Sequence, residues 1–297
     1  MPELISMHLR SLLFVPGDQP AKLARAPERG ADALILDLED SVAPAAKDKA
    51  RREVAAFLKS LGAGPRRPYV VVRVNGLETG LADDDLNAVS QGKPDAIMLP
   101  KAMGGSSIIH LDAKLAVREA ENDLNEGSIK VIALATEMAR AVFDASTYAG
   151  SSARLNGLAW GVEDLSVDIG GQVTRDHRGY FLGPYAFARN VCLLAAAAAK
   201  VQAIDTVMMD FRDLEAMRRE CRDAWRDGFT GKLAIHPDQV AIINETFMPS
   251  SDDISHARAV IAAFEANPGA GTLSIDGRLY DAPHLARAKR TIALAGN

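Results

Sequence analysis

Three observations in this 297-residue sequence predict a (β/α)8 barrel of the TIM type. Short β-rich runs alternate about eight times with longer amphipathic stretches, the pattern of a parallel sheet with helical crossovers. Runs such as ALILD and VVVRV are nearly continuous in apolar residues, as strands covered on both faces must be. Polar residues gather where the runs stop rather than where they begin, and in a barrel the chemistry sits at the C-terminal ends of the strands. A doubly wound open sheet remains the alternative, because strand count does not show closure.

Taken in order, the predicted strands are Ser11–Val15, Ala33–Asp37, Tyr69–Val74, Ala96–Leu99, Lys130–Ala135, Leu155–Trp160, Ala203–Met208 and Lys232–Ile235. Helical spacing marks Pro44–Ser60, Ser106–Asp123, Pro184–Lys200 and Asp213–Asp227 between them. After the eighth unit the pattern changes. Ser251–Ala266 reads as a helix and Gly269–Gly271 as a break. Thr272–Tyr280 carries an Asp-Gly pair between two β-like runs, a hairpin signal, and Pro283–Ala295 is a last helix. Residues 1–250 are thus expected to form the barrel and residues 251–297 a short C-terminal arm or lid.

A net charge of −5 with scattered Lys and Arg gives no reason to expect nucleic acid or an anionic membrane as partner. Cys192 and Cys221 lack metal or redox spacing and read as thiols of a reducing compartment. The N-terminus has no signal pattern, and the longest apolar run, Val191–Ala199, is about half of the roughly 20 residues a membrane span needs. A cytoplasmic protein is expected.

The strand ends supply the candidate site. Glu137 and Asp164 follow the fifth and sixth strands, and two neighbouring carboxylates with water suit a hard cation such as Mg²⁺ better than zinc, which calls for His or Cys. The alternative is a helix N-cap and an ordinary acid in a loop, since acids favour the first turn of a helix. Arg73 lies in an apolar strand, so it must be paired, with Asp37, Glu39 or Asp40 as structural partners. It could also clamp a substrate carboxylate. Lys101 is expected to pair structurally with the same acids, His236 before Pro237 reads as a structural histidine, and Phe14 as an apolar wall beside Gly17.

RSLLFVPGDQPAKLARA, ALILDLEDSVAP, VVRVNG, IMLPK, GVEDLSVDIG, AIDTV, GFTGKLAIHPDQV and DGRLYDAPHLARA, in this order over residues 10 to 295, resemble the citrate lyase β-subunit-like and malyl-CoA lyase family. The resemblance implies a (β/α)8 barrel, Mg²⁺ with Mn²⁺ as a substitute, and reversible carbon–carbon cleavage of a 3-hydroxyacyl-CoA to acetyl- or propionyl-CoA and an α-keto acid. It places the metal on Glu137 and Asp164, with Glu163 beside them on the substrate side, and the keto-acid arginine on Arg73. The coenzyme A side falls on Phe14, Arg25, Ile235 and His236. The general acid/base falls on Asp281, reaching a neighbouring subunit's site, which implies a homo-oligomer, a trimer or hexamer. Two local features vary from the family pattern. Ala135-Thr136-Glu137-Met138 replaces the usual Ile-Glu-Ser/Thr, and Ile235-His236-Pro237 is similar to stand-alone CoA-ester lyases rather than to subunits of multi-component citrate lyase. The other readings are a CoA-free metal aldolase of hydroxy-keto acids and a citryl lyase β subunit of a larger complex.

Overall fold

The computed structural model describes residues 8–61 and 67–296; residues 1–7, 62–66 and 297 of the predicted units lie outside the described residues. Eight parallel strands close into a barrel in sequential order, β1 to β8. They are β1 (Ser11–Pro16), β2 (Ala33–Asp37), β3 (Tyr69–Arg73), β4 (Ala96–Leu99), β5 (Lys130–Leu134), β6 (Leu155–Ala159), β7 (Gln202–Asp205) and β8 (Gly231–Ala234). The pairing of β1 with β8 completes the ring and excludes the open sheet. The predicted seventh strand runs on to Met208, but the ladder stops at Asp205. Its last registered pair is Asp205↔Lys232, and beyond it the chain turns toward the cavity.

The outer helices are α1 (Pro20–Arg25), α2 (Lys47–Ser60), α3 (Ala82–Ser90), α4 (Gly105–Glu121), α5 (Ala139–Asp144), α6 (Val162–Asp168), α7 (Gly183–Ala199), α8 (Leu214–Asp227) and α9 (Pro237–Thr246). α8 shows why such segments become helices. Asp213 accepts a hydrogen bond from the Ala216 N–H at the start, Met217, Cys221 and Ala224 make one buried stripe, and Gly228 ends the helix in the left-handed region.

The continuous apolar runs resolve into two cores by strand alternation. Ala33 and Ile35 of β2 join Leu12, Val71, Met98, Ile132 and Leu233 inside the barrel, whereas Leu34 and Leu36 pack outward against the helices. The same parity sends Phe14, Asp37, Arg73 and Ile235 to the mouth, because each lies two residues beyond an interior residue of its strand.

Past α9 the arm consists of α10 (Ser251–Ala266), an antiparallel hairpin of β9 (Thr272–Ile275) and β10 (Arg278–Asp281), and α11 (Ala282–Ala295). Asp276 and Gly277 both take positive φ, as the tight turn requires. Ala257, Val260, Tyr280 and Ala288 form a small core separate from the two barrel cores.

Charge is buried on the far side of β7 and β8. Lys232 is fully buried, with Nζ 3.0 Å from Asp205, 2.6 Å from Glu220 and 2.7 Å from the Thr206 carbonyl. Asp205 in turn accepts hydrogen bonds from the Trp160 indole at 2.8 Å and Arg189 at 3.2 Å. Lys232→Met removes one member of a buried pair and leaves Asp205 under-compensated. We expect it to lower unfolding stability by about 3–5 kcal/mol, read as a reduced urea midpoint at unchanged slope.

Candidate active site

One cavity of about 680 Å³ opens at the C-terminal mouth of the barrel. It is lined by Phe14, Arg25, Asp37, Asp40, Arg73, Glu137, Glu163, Asp164, Ile235 and His236, so most of the residues expected from sequence meet in one place. Glu39 and Lys101 stand behind the lining and brace it through ion pairs. Asp281, on the arm, is not among the residues that line this cavity.

Arg73 is the centre of the charge arrangement. Asp37 and Arg73 are register partners on β2 and β3, which brings their side chains together at the mouth. Nε and Nη2 of Arg73 each lie 2.7 Å from a different Asp37 oxygen, a bidentate pair. Nη1 lies 3.0 Å from Glu39, and the guanidinium sits 4.7 Å from the centroid of the Phe14 ring. Burial opposes the charge on Arg73, but Asp37, Glu39 and Glu137 raise its pKa further. Burial likewise works against an ionised Asp37, yet Arg73 and the N–H groups of Glu39 and Ser41 hold its carboxyl below the usual range. The structural pairing expected for Arg73 is thus present, and the side chain still lines the cavity.

Lys101 does more than pair. Its backbone lies in the left-handed region, φ 51°, which costs a non-glycine residue about 1 kcal/mol or more. In return its N–H donates to Glu137 Oε2 at 2.6 Å. Its ammonium is 2.5 Å from Glu39, 3.3 Å from Asp164 and 3.6 Å from Asp40. One residue therefore touches both candidate metal ligands.

Glu137 is not a helix cap: the N-cap of α5 is Met138. Glu137 is buried behind Gly161, where a Cβ would come within 2.7 Å of Oε1. Asp164 lies in the first turn of α6 rather than in a loop, and Gly161 is the cap of that helix. Burial, and the nearby charges of Asp164 and Glu39, push Glu137 up to about 8. Burial also raises Glu39. Asp37, Glu39, Asp40, Glu137 and Asp164 gather around Arg73 and Lys101 inside the rim of Lys22, Arg25 and Arg29, and a divalent cation there would favour the ionised form of Glu137. Among the described residues no group of three or more His, Cys, Asp or Glu gathers as a complete metal cage. A cation held here would take Glu137 and Asp164 and fill its shell with water or a ligand oxygen, a donor set that suits Mg²⁺-like ions.

His236 is the N-cap of α9, accepting from the Asp238 N–H, and its ring stacks on Phe211 at 4.6 Å. The structural role read from sequence is present, and the ring also borders the cavity. The sequence reading passed over Gly161, Trp160 and the rim residues Lys22 and Arg29. Lys22, Arg25 and Arg29 recur at a spacing of three and four after Pro20, a helix-face signal that places all three on one side of the opening.

A family model described as HpcH/HpaI aldolase/citrate lyase matches residues 10–237, and one described as C-C bond lyase of the TIM-barrel fold matches residues 185–296. The chain belongs to the HpcH/HpaI aldolase/citrate lyase family. Relatives include citrate lyase subunit beta of Leuconostoc mesenteroides, 35% identical over 96% of this chain and 93% of that protein. Human mitochondrial citramalyl-CoA lyase is 32% identical over 96% and 85%. The (3S)-malyl-CoA thioesterase of Cereibacter sphaeroides is 35% identical over 96% and 94%. Among solved structures, CitE from Mycobacterium tuberculosis in complex with magnesium, acetoacetate and coenzyme A superposes with a TM-score of 0.79 at 32% identity, covering 98% of this chain and 99% of that one.

Two outcomes test the geometry. Because Glu137 titrates near 8 in the folded chain against an ordinary value of 4.5, the folded form binds more protons between those limits, so stability falls as pH rises through them and levels off above 8. In chelator-treated protein, Glu137→Gln should melt higher than wild type by a margin that grows from pH 5 to pH 8, up to the order of a few kcal/mol. A margin independent of pH would contradict the assignment. Gly161→Ala keeps an allowed backbone but drives a methyl onto Glu137, and calorimetry should show divalent-cation affinity weakened about tenfold or more.

Proposed function

We propose that this chain is a Mg²⁺-dependent carbon–carbon lyase that reversibly cleaves a 3-hydroxyacyl-CoA of the malyl-, methylmalyl-, citramalyl- or citryl-CoA type into acetyl- or propionyl-CoA and an α-keto acid. The observation that carries this reading is the meeting, in one cavity, of the carboxylates Glu137 and Asp164, the anion-binding Arg73 and the basic rim of Lys22, Arg25 and Arg29. Two of the relatives are a citrate lyase subunit and a citramalyl-CoA lyase, which supports carbon–carbon cleavage, and the malyl-CoA thioesterase supports a hydroxyacyl-CoA as the ligand.

Glu137 and Asp164 would hold Mg²⁺, or Mn²⁺ in its place. Bound there, the cation supplies Lewis-acid polarisation of the oxygen at which charge develops. Arg73, held in plane by Asp37 and stacked over Phe14, presents its remaining N–H donors to the keto-acid carboxylate. Phe14, Ile235 and the His236 ring form the wall along the thioester, and the rim cations meet the phosphates of coenzyme A. The acyl proton is exchanged by Asp281. In condensation its carboxylate takes the proton from the carbon beside the thioester, and in cleavage its protonated form returns it to the enolate.

Asp281 lies outside the cavity of its own barrel, on an arm with a core of its own, which supports delivery by residues 251–297 to a neighbouring subunit. The working assembly is then a homo-oligomer, a trimer or hexamer. Two free buried thiols, Cys192 and Cys221, suit a reducing compartment, and we place the enzyme in the cytoplasm.

The test is condensation of acetyl-CoA or propionyl-CoA with glyoxylate, pyruvate or oxaloacetate in the presence of Mg²⁺, the product being followed by mass. Asp281→Asn is expected to lower turnover by at least about a hundredfold while keto-acid binding in the presence of Mg²⁺ persists. Normal turnover by that variant, or release of free coenzyme A with no carbon–carbon bond made or broken, would sink the reading.

A further inference from the structure

The arm carries a chain of polar rings that the barrel cavity does not use. The Tyr280 hydroxyl lies 3.3 Å from His256 Nε2 on α10, and the buried Tyr280 ring meets His284 of α11 edge-on with centroids 5.2 Å apart. His284 Nδ1 lies 2.5 Å from Asp281 Oδ1 and 3.3 Å from the Asp281 backbone nitrogen. Asp281 caps α11 and His284 is its third residue, so the two form a reciprocal capping box. Such boxes ordinarily use Glu or Gln at the third position. An imidazole there can both donate and accept. When Asp281 is a carboxylate, Nδ1–H donates to Oδ1. With its proton on Nε2 instead, the ring nitrogen can accept from the Asp281 backbone N–H. With the ring proton on Nδ1, donation to Oδ1 persists whether Oδ2 is bare or protonated.

We propose that His284 is the positioning residue of Asp281, gripping Oδ1 and leaving Oδ2 to exchange the proton with the acyl carbon. The inference rests on the acid–base role proposed above for Asp281. In the condensation direction the C–H bond breaks, its electron pair stays on the acyl fragment as the enolate, and the proton passes to Oδ2. His284 keeps its own proton on Nδ1 throughout that step. Tyr280 packs edge-on against the His284 ring, and His256 in turn packs against Tyr280. The His284 hydrogen bond holds the Asp281 carboxyl below the usual carboxylate range.

The experiment uses the full chain with His284→Ala and His284→Asn. The Asp281 carboxyl is titrated by ¹³C NMR, and the pH profile of kcat/KM is recorded for the acyl-CoA and keto-acid pair that condenses. In His284→Ala the Asp281 midpoint should rise to the ordinary carboxylate range and the acidic limb of the profile should move up with it. Turnover should fall about tenfold to a hundredfold. The amide N–H of His284→Asn reaches from the place of Nδ1–H and should recover most of the turnover. His256→Phe, which disturbs the other side of Tyr280, should lower the melting temperature and leave the acidic limb where it is. An Asp281 midpoint unmoved in His284→Ala, or equal losses in the Ala and Asn variants with no movement of the limb, would overturn the proposal. Full turnover by Asp281→Asn would instead remove the acid–base role itself, while the NMR titration would still report whether the two side chains are paired.

Discussion

The bidentate pair between Arg73 and Asp37 is the interaction on which the rest of the mouth depends. A guanidinium at the end of an apolar strand cannot be left without a counter-charge, and strand register places Asp37 directly beside it. From there charge alternates outward in contact, from Arg73 to Glu39, from Glu39 to Lys101 and from Lys101 to Asp164. The anion clamp and the candidate cation site are thus parts of one network. Removing Asp37 or Arg73 leaves its buried partner short of a counter-charge, whereas Asp164 and Lys101, nearer the opening, are partly solvated.

That network borders the buried Glu137, and the fold holds this acid through close backbone approach. Gly161 lets the sixth strand end lie against the Glu137 carboxylate, and Lys101 accepts a left-handed backbone so that its N–H can reach the same group. Local strain and burial of an acid are stabilising to nothing by themselves; they fit a site meant to receive a cation. In the proposed function the barrel would supply the charged half of the chemistry, and the arm, with its own small core, carries Asp281 and the ring cluster behind it.

Much of this was legible before folding was considered. Apolar alternation located all eight strands within a few residues, because both faces of a barrel strand are covered and the runs must stop where the chain reaches water. The largest overrun was at the seventh strand, where Thr206, Val207 and Met208 continue the apolar pattern although the first two line the cavity and Met208 joins the outer core, all beyond the ladder. Counting parity from the interior residues would also have pointed Phe14, Asp37, Arg73 and Ile235 inward. The roles of Lys101, Gly161 and His284 were less accessible. A left-handed lysine, a glycine pressed on an acid and an imidazole in a capping box are matters of backbone direction and of contacts between segments, which residue type does not encode.

By itself, then, the sequence determined the eight strand–helix units, the change of pattern after them and the chemical kinds of group at each strand end, since periodicity and the cost of burying charge act locally along the chain. Only the tertiary structure decided which of those groups share a network. Closure of β1 on β8 converts distant strand ends into neighbours, so that Lys101 touches Glu137 and Asp164 at once while Asp281 stays outside its own cavity. Coulomb energy depends on distance in space, and the chain order does not carry that distance.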